Sequence, residues 1–258
     1  MKIPKIIHYC WFGPKDIPDL ERKCIESWKQ YLPDYKLKFW NEQTFDIESF
    51  QFAKQAYENE YYAFVSDFVR AMVLYKHGGI YLDTDLEVLQ NFTPLLKGKE
   101  AVLGFENSSD VGTALMAFKP KHPIVKNFAD HYKNRSFIDS DGNIQLTANP
   151  QVLGNVLVEF GVELNGKEQK IDSLHVYNRE KFFPKKIEKG EFKTTKETVT
   201  IHHYKGSWLT KRQKQRGENK FWVEVCRPIL RKCKDWSSKI IGNKQTKKLE
   251  IKVRNWLR

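Results

Sequence analysis

The segment that most constrains the fold is an apolar helical pattern followed at once by a short apolar strand. Between positions 64 and 77, apolar residues recur at steps of three and four, which predicts a helix with a wide apolar face. Gly78-Gly79 supplies a stop, and the run Ile80 to Leu82 after it predicts a buried strand. A helix that returns directly into a buried strand is typical of α/β domains.

Similar elements alternate along the first hundred residues. Strands are predicted where short apolar runs end at turn residues, and helices where apolar residues keep a three- and four-residue spacing. The order predicts an α/β fold with a mostly parallel sheet, whose ligands bind beyond the carboxyl ends of the strands. The predicted elements are strands at 3–8, 35–40, 80–82 and 101–105, and helices at 19–32, 47–57 and 64–77.

Charge divides the chain into two parts. The 258 residues carry 44 Lys and Arg against 32 Asp and Glu, a net charge of +12. Residues 1–204 hold 27 basic and 28 acidic residues, whereas residues 205–258 hold 17 and 4. The excess therefore belongs to a C-terminal extension, which points to an anionic partner without choosing between nucleic acid, lipid and nucleotide.

The sequence also indicates where the protein works. No run reaches the roughly 18 to 20 apolar residues of a spanning helix, and the apolar run at the N-terminus is too short for a signal peptide. The cysteines have no zinc-type spacing, which favours free thiols in a reducing cytoplasm. The four cysteines are Cys10, Cys24, Cys226 and Cys233.

The chemistry is predicted at an acidic pair that follows the third predicted strand. Asp83 and Asp85 come directly after the apolar run to Leu82, and two such carboxylates can jointly hold a divalent cation and its phosphate ligands. A helix cap or turn is the structural alternative. The chain contains a second such pair, Asp139 and Asp141, but Gly142 and polar neighbours predict a surface turn there.

Three blocks of the sequence resemble glycosyltransferase family 32. The resemblance implies a GT-A (Rossmann-like) catalytic domain over residues 1–208, followed by a basic extension over 209–258. It further implies a nucleotide-sugar donor, a divalent metal and retention of anomeric configuration. The blocks are Ile3 to Gly13, Ser66 to Asp85 (Ser-Asp-Phe-Val-Arg, then Gly-Gly-Ile-Tyr-Leu-Asp-Thr-Asp) and Ile201 to Trp208.

The resemblance also assigns roles to residues. It implies that Asp67, Arg70, Asp83 and Asp85 are catalytic, and that Mn²⁺ or Mg²⁺ is held by Asp83, Asp85 and His203, with His202 as the second choice. For Asp67 and Arg70 a plain i, i+3 ion pair is the alternative. The positions expected to contact the donor are His8, Trp11, Ser66, Asp67, Arg70, Tyr81, Asp83, Thr84, Asp85, Ser207 and Trp208.

Some positions are less tightly assigned. Trp11 is expected to stack on a uracil ring or to lie in the core, and Ser66 also suits a helix N-cap. Asn107, Asp110 and Asn149 are candidates for contact with sugar or acceptor. Many family members carry Gly-Pro where this chain has Asn149-Pro150, and no general base is identified.

The basic extension carries a pattern of its own. Apolar residues from Phe221 to Ile241 recur at mostly three- and four-residue steps between Lys and Arg, and Pro228 interrupts them. Such a helix either lies on an anionic membrane surface or packs onto the catalytic domain.

Together these features predict transfer of a hexose (Gal, Glc or an N-acetyl derivative) from a UDP-sugar. The expected acceptor is a polyprenyl-diphosphate-linked intermediate of a bacterial capsular or surface polysaccharide, at the inner face of the plasma membrane. The alternatives are an Asp-x-Asp metal-dependent phosphatase and a basic nucleic-acid-binding protein. Such a phosphatase is expected to have Thr or Val two positions after the second Asp, where this chain has Glu87. A nucleic-acid-binding protein would not explain the near-neutral charge of residues 1–204, so nucleic acid is not an expected partner.

Overall fold

The computed structural model describes residues 3–187 and 191–206, together with Trp236. Residues 1–205 form one compact unit, and a second unit begins at Gly206. The predicted membrane helix of the extension lies outside the described residues. Within the described part of the chain, no helix is long and apolar enough to cross a membrane.

Strands and helices alternate through the first unit. The strands are β1 (Ile6–Cys10), β2 (Lys36–Trp40), β3 (Gly79–Leu82), β4 (Leu86–Val88), β5 (Ala101–Gly104), β6 (Leu115–Phe118), β7 (Gln169–Ile171), β8 (Leu174–Tyr177) and β9 (Thr200–His202). The helices are α1 (Asp19–Tyr31), α2 (Gln51–Glu58), α3 (Tyr62–His77), α4 (Thr93–Leu96), α5 (Pro123–Lys133), α6 (Asn149–Glu159) and α7 (Arg179–Phe182). All seven predicted elements exist, with ends that differ from the prediction by up to four residues.

Seven strands form the central sheet, in the order β2-β1-β3-β6-β5-β8-β7. β1 pairs in parallel with β2 and β3, and β5 pairs in parallel with β8, whereas β6 and β7 are antiparallel to their neighbours. Five of the seven strands therefore run in one direction. The predicted α/β class with a mostly parallel sheet is confirmed.

The sheet is buried on both faces because its strand residues alternate between two apolar clusters. One cluster joins Tyr81, Leu103 and Met116 to the apolar faces of α2, α3, α5 and α6. The other joins Ile80, Val102 and Leu115 to α1 and α7. This layered arrangement leaves the strand ends as the polar edges of the domain.

The corner between α3 and β3 depends on two glycines. Gly78 has φ +63° and Gly79 has φ +97°, a backbone region that favours glycine. A Cβ on Gly79 would lie 2.6 Å from the carbonyl oxygen of Ile6 on the neighbouring strand. The glycine pair therefore lets α3 end against the sheet, which fixes where β3 begins.

Candidate metal centre

The acidic pair lies in a tight turn at the carboxyl end of β3. The Asp83 amide donates to Ala114 O at 2.9 Å, and the Leu86 amide donates to Asp83 O at 2.9 Å. The chain then enters β4, which pairs with β9 outside the central sheet. Both carboxylates are thus held by backbone hydrogen bonds at the edge where an α/β sheet binds its ligands.

His202 joins the pair through the β4–β9 ladder. Leu86 lies opposite His202 in this ladder, and His202 Nε2 lies 3.2 Å from Asp85 Oδ1. One ligand atom from each of Asp83, Asp85 and His202 lies within 4.8 Å of the others. His202 Nδ1 is buried and has no hydrogen-bond partner among the residues that the structure describes. Two carboxylates and an imidazole grouped in this way fit a divalent cation such as Mn²⁺.

Of the two predicted metal ligands, the geometry favours the second choice, His202, over His203. His203 Nε2 lies 2.9 Å from Glu87 Oε2, away from the Asp83–Asp85–His202 group. Neighbouring residues at a strand end point to opposite sides, so only one of the two imidazoles reaches the pair. Knowledge of the β4–β9 register would have been needed to choose between them.

Electrostatics at the pair fit a cation. Burial raises the pKa of Asp83, against the lowering effect of Arg70, and the charge of Asp85 raises it further. For Asp85, burial is outweighed by hydrogen bonds from His202 and the Lys205 amide, so its pKa is lowered. Burial lowers the pKa of His202, but Asp85 and Asp83 outweigh it, so the net shift is upward. Each of the three side chains therefore lies beside a group of opposite charge. A bound cation would further stabilise the charged form of the two carboxylates.

Arg70 connects the acidic pair to Asp67. Its Nη2 lies 2.8 Å from Asp83 Oδ1 and 3.0 Å from Asp67 Oδ1, and its Nη1 donates to Thr113 O at 2.7 Å. The guanidinium lies over the Tyr81 ring, 4.5 Å from its centroid. The Arg70 side chain is only 5% exposed. The i, i+3 pair thus exists, with Arg70 buried and Asp67 half-buried, and Arg70 also contacts the acidic pair.

Burial also sets the ionisation of these groups. It raises the pKa of Asp67 to about 6, although Arg70 and the Asn149 amide oppose the shift. For Arg70, the carboxylates of Asp83 and Asp67 outweigh the effect of burial, so its pKa is raised and it remains a cation. A fixed positive charge between two carboxylates keeps all three side chains in place.

Two of the expected donor contacts are buried in the core, and a third is half-buried inside a helix. His8 is 0% exposed, accepts from Trp40 Nε1 at 3.1 Å through Nδ1, and lies 2.9 Å from Gly78 O through Nε2. Tyr81 is also buried, and its ring supports Arg70. Ser66 lies inside α3, where Ser66 Oγ donates to Tyr62 O at 3.2 Å, so it is not the N-cap of that helix. His8 and Tyr81 therefore have a packing role. The sequence alone does not reveal this role, because in a short strand buried on both faces every side chain faces the core.

Other predicted positions remain predictions. Trp11 is half-buried and donates through Nε1 to Lys15 O at 2.5 Å, and Thr84 is half-buried in the turn. Asn107 and Asp110 bond to each other across their loop at 2.8 Å. Ser207 and Trp208 lie outside the described residues.

The second acidic pair forms the surface turn that the sequence predicts. Asp139 Oδ1 accepts from the amides of Asp141 and Asn143 at 3.0 and 2.8 Å. These are the local hydrogen bonds of an Asx turn. This pair provides a natural comparison for the metal centre.

Sequence reasoning missed two groups beside the site. Glu106 follows β5 and is half-buried, and burial raises its pKa, with His202 and Asp83 among the charges that act on it. The Tyr204 ring packs against the His202 ring in a tilted arrangement, with 4.1 Å between ring centroids. The sequence could not have predicted a role for Glu106, because only its position after a predicted strand marks it and the residues of its loop form no recognisable motif.

Comparison with known proteins agrees with the resemblance found in the sequence. Residues 18–102 match the family model described as "glycosyltransferase sugar-binding region containing DXD motif". That segment includes Asp67, Arg70, Asp83 and Asp85, so these four residues lie in the part of the chain that is similar to this sugar-binding region. The resemblance to glycosyltransferase family 32 is thereby confirmed.

Individual relatives cover only part of the chain. It is 30% identical over 131 residues to inositol phosphoceramide mannosyltransferase 3 of Schizosaccharomyces pombe, covering 48% of this chain and 35% of that protein. It is 32% identical over 152 residues to mannosyl phosphorylinositol ceramide synthase CSH1 of Saccharomyces cerevisiae, covering 53% and 38%. Among solved structures, the PaToxG glycosyltransferase has a TM-score of 0.48 and 23% identity, covering 61% of this chain and 69% of that one. The chain spans little more than a third of the length of these two curated relatives.

Proposed function

We propose that this protein is a metal-dependent glycosyltransferase that uses a nucleotide sugar as donor. The observation that carries the proposal is the convergence of two groups at the carboxyl end of β3. The Asp83–Asp85–His202 group lies beside the buried Asp67–Arg70 pair, with Arg70 Nη2 contacting both sides. All but His202 belong to the segment that matches the sugar-binding family model.

Each group has a role that its geometry suits. Asp83, Asp85 and His202 would hold Mn²⁺ or Mg²⁺, which supplies positive charge to offset that of a diphosphate leaving group. Arg70 and Asn149 both contact Oδ1 of Asp67. Oδ2 has no hydrogen bond within the described part of the chain, and it is not among the fully buried atoms that lack a partner. That second oxygen is available to accept a hydrogen bond from a donor hydroxyl. Arg70 would hold the carboxylates of Asp67 and Asp83 in fixed positions relative to each other.

The donor and the stereochemistry belong to the same proposal. We propose a UDP-hexose as donor and retention of anomeric configuration, on the strength of the resemblance to glycosyltransferase family 32. The names of two relatives specify mannosyl transfer, so GDP-mannose belongs in any donor panel. The anomeric configuration of the product, read by NMR, tests retention directly.

The acceptor is proposed to be lipid-linked. Both relatives named above have a ceramide lipid in their names, and residues 205–258 carry 17 basic against 4 acidic residues. We propose a capsular or other surface-polysaccharide intermediate as the acceptor and peripheral contact with the inner face of a plasma membrane. The free, buried thiols of Cys10 and Cys24 are consistent with a cytoplasmic setting.

A donor panel tests the proposal. The full chain is incubated with Mn²⁺ and each of several UDP-sugars and GDP-mannose, and release of nucleoside diphosphate is measured with and without acceptor. We expect turnover of one nucleotide sugar, and we expect Asp85→Asn to lower kcat/KM by about 100-fold or more, since it removes a charged metal ligand.

The matched control is Asp141→Asn, which makes the same chemical change in the surface pair. It should leave turnover within about twofold of the original, since surface changes rarely propagate. Equal turnover by the Asp85→Asn variant and the unchanged protein, or no nucleotide sugar bound by the unchanged protein, would reject the proposal.

A further inference from the structure

A chain of buried hydrogen bonds runs from Asp67 into the helical layer. Asn149 Nδ2 donates to Asp67 Oδ1 at 2.8 Å, and Tyr132 Oη donates to Asn149 Oδ1 at 2.6 Å. Asn149 is 4% exposed and Tyr132 is 2% exposed. Within the described residues, neither side chain makes a hydrogen bond to Asp83 or Asp85, so this chain of hydrogen bonds meets the site at Asp67.

We propose that Asn149 and Tyr132 are positioning residues that hold the Asp67 carboxylate for the donor. Asn149 locks Oδ1 of Asp67 from one side while Arg70 locks it from the other, which turns Oδ2 towards the ligand. The donor part of this inference rests on the proposed function. It differs from the expectation that Asn149 itself contacts sugar, since the Asn149 side chain is buried and its amide nitrogen and oxygen each already have a partner.

The chain of hydrogen bonds has only one favourable direction. Asp67 can only accept as a carboxylate, so the amide must present its NH₂ group to it. The carbonyl oxygen of Asn149 then faces Tyr132, whose hydroxyl must donate. Burial raises the pKa of Tyr132 well above its usual value, so the hydroxyl keeps its proton. Asp67 thus sets the amide orientation, and the Tyr132 hydroxyl donates to the carbonyl oxygen that this orientation presents to it.

Rigid elements support every link. Tyr132 lies near the end of α5, Asn149 is the first residue of α6, and Asp67 lies in α3. Pro150 follows Asn149 in the first turn of α6 and restricts the backbone there. The three helices share one apolar cluster, so the hydrogen bonds join parts that are already packed. A binding group held by neighbours on rigid elements is the arrangement that precise ligand placement requires.

Donor kinetics test the positioning role. With Mn²⁺ and the nucleotide sugar found in the donor panel, we expect Asn149→Ala to raise the donor KM about tenfold and Tyr132→Phe about threefold, with kcat changed less. Tyr177→Phe is the matched control, since it removes another buried hydroxyl that contacts Leu95 O instead. It should leave the donor KM unchanged.

A double substitution separates positioning from direct contact. In an Asp67→Ala background, Asn149→Ala should cause no further rise in the donor KM, because its effect passes through Asp67. An equal rise in both backgrounds would show that Asn149 touches the ligand and would overturn the inference. No effect of Asn149→Ala on the unchanged protein would do the same.

Urea unfolding without ligand tests the chain of hydrogen bonds independently of any donor. The free energies of unfolding for Asn149→Ala and Asp67→Ala should be non-additive, and so should those for Tyr132→Phe and Asn149→Ala. Tyr177→Phe and Asn149→Ala should be additive. If no nucleotide sugar binds, the proposed function fails, but non-additivity here still supports the positioning of Asp67. Additivity in both test pairs overturns it.

Discussion

Residues 202 and 203 illustrate how one step along the chain changes the chemistry. His202 contacts Asp85, and its other, buried nitrogen has no partner in the described part of the chain, whereas His203 contacts Glu87. Both are imidazoles beside a carboxylate, and both carry the same sequence signal. The difference comes from the pairing of β4 with β9, which aims only His202 at the acidic pair.

This difference can be measured as metal affinity. We expect His202→Ala to weaken binding of Mn²⁺ by at least about tenfold, because it removes one of three grouped ligands. His203→Ala, the matched control, should change the affinity by less than about twofold. Titration calorimetry on the full chain measures both. A larger loss in the His203→Ala variant would restore His203 as the ligand.

At the scale of elements, the corner between α3 and β3 places the acidic pair. Both glycines have positive φ, and the Gly79 position leaves no room for a side chain against Ile6 O. The sequence predicts the stop from Gly78-Gly79, yet the close approach to β1 is visible only in the fold. The same two glycines therefore allow the turn and allow β3 to pack closely against β1.

A pair of alanine substitutions separates these two contributions. Gly98 has φ +78° and no atom within 4 Å of its added Cβ, so Gly98→Ala should cost about 1 kcal/mol for backbone strain alone. Gly79→Ala should cost about 2 to 4 kcal/mol, because the clash adds to the same strain. Urea unfolding measures both. Equal losses would mean that the sheet adjusts to the added methyl group.

At the scale of the whole molecule, the excess of positive charge and the proposed reaction belong to different parts of the chain. The first unit carries the site, and residues 205–258 carry the basic excess. Since each basic residue near an anionic surface contributes about 1 kcal/mol, several suffice for reversible attachment. The proposed membrane contact therefore does not need the residues that hold the metal.

Removal of residues 209–258 tests this separation. We expect the truncated protein to lose binding to vesicles that contain anionic lipid, in a salt-dependent manner, while hydrolysis of the soluble donor persists. Sedimentation with anionic and with neutral vesicles measures the binding. Unchanged binding to anionic vesicles would place the contact elsewhere.

Local patterns in the sequence were enough to predict the α/β class, the acidic pair and the Asp67–Arg70 pair. Helical spacing, glycine stops and apolar runs act over a few residues, so they can be recognised without a fold. The same patterns could not show that His8 and Tyr81 pack in the core rather than contact a ligand. A short strand buried on both faces lacks the alternation of polar and apolar residues that would indicate which side chains are exposed.

The tertiary structure alone decided which distant groups meet. Asp85 and His202 are brought together by an antiparallel ladder, and Asp67, Asn149 and Tyr132 by the packing of three helices. Such contacts depend on register and on how helices pack, which no local pattern specifies. The sequence by itself thus determined which residue types were present for this chemistry and near which strand end. Burial and pairing over long separations determined which of them form the metal centre and which support it.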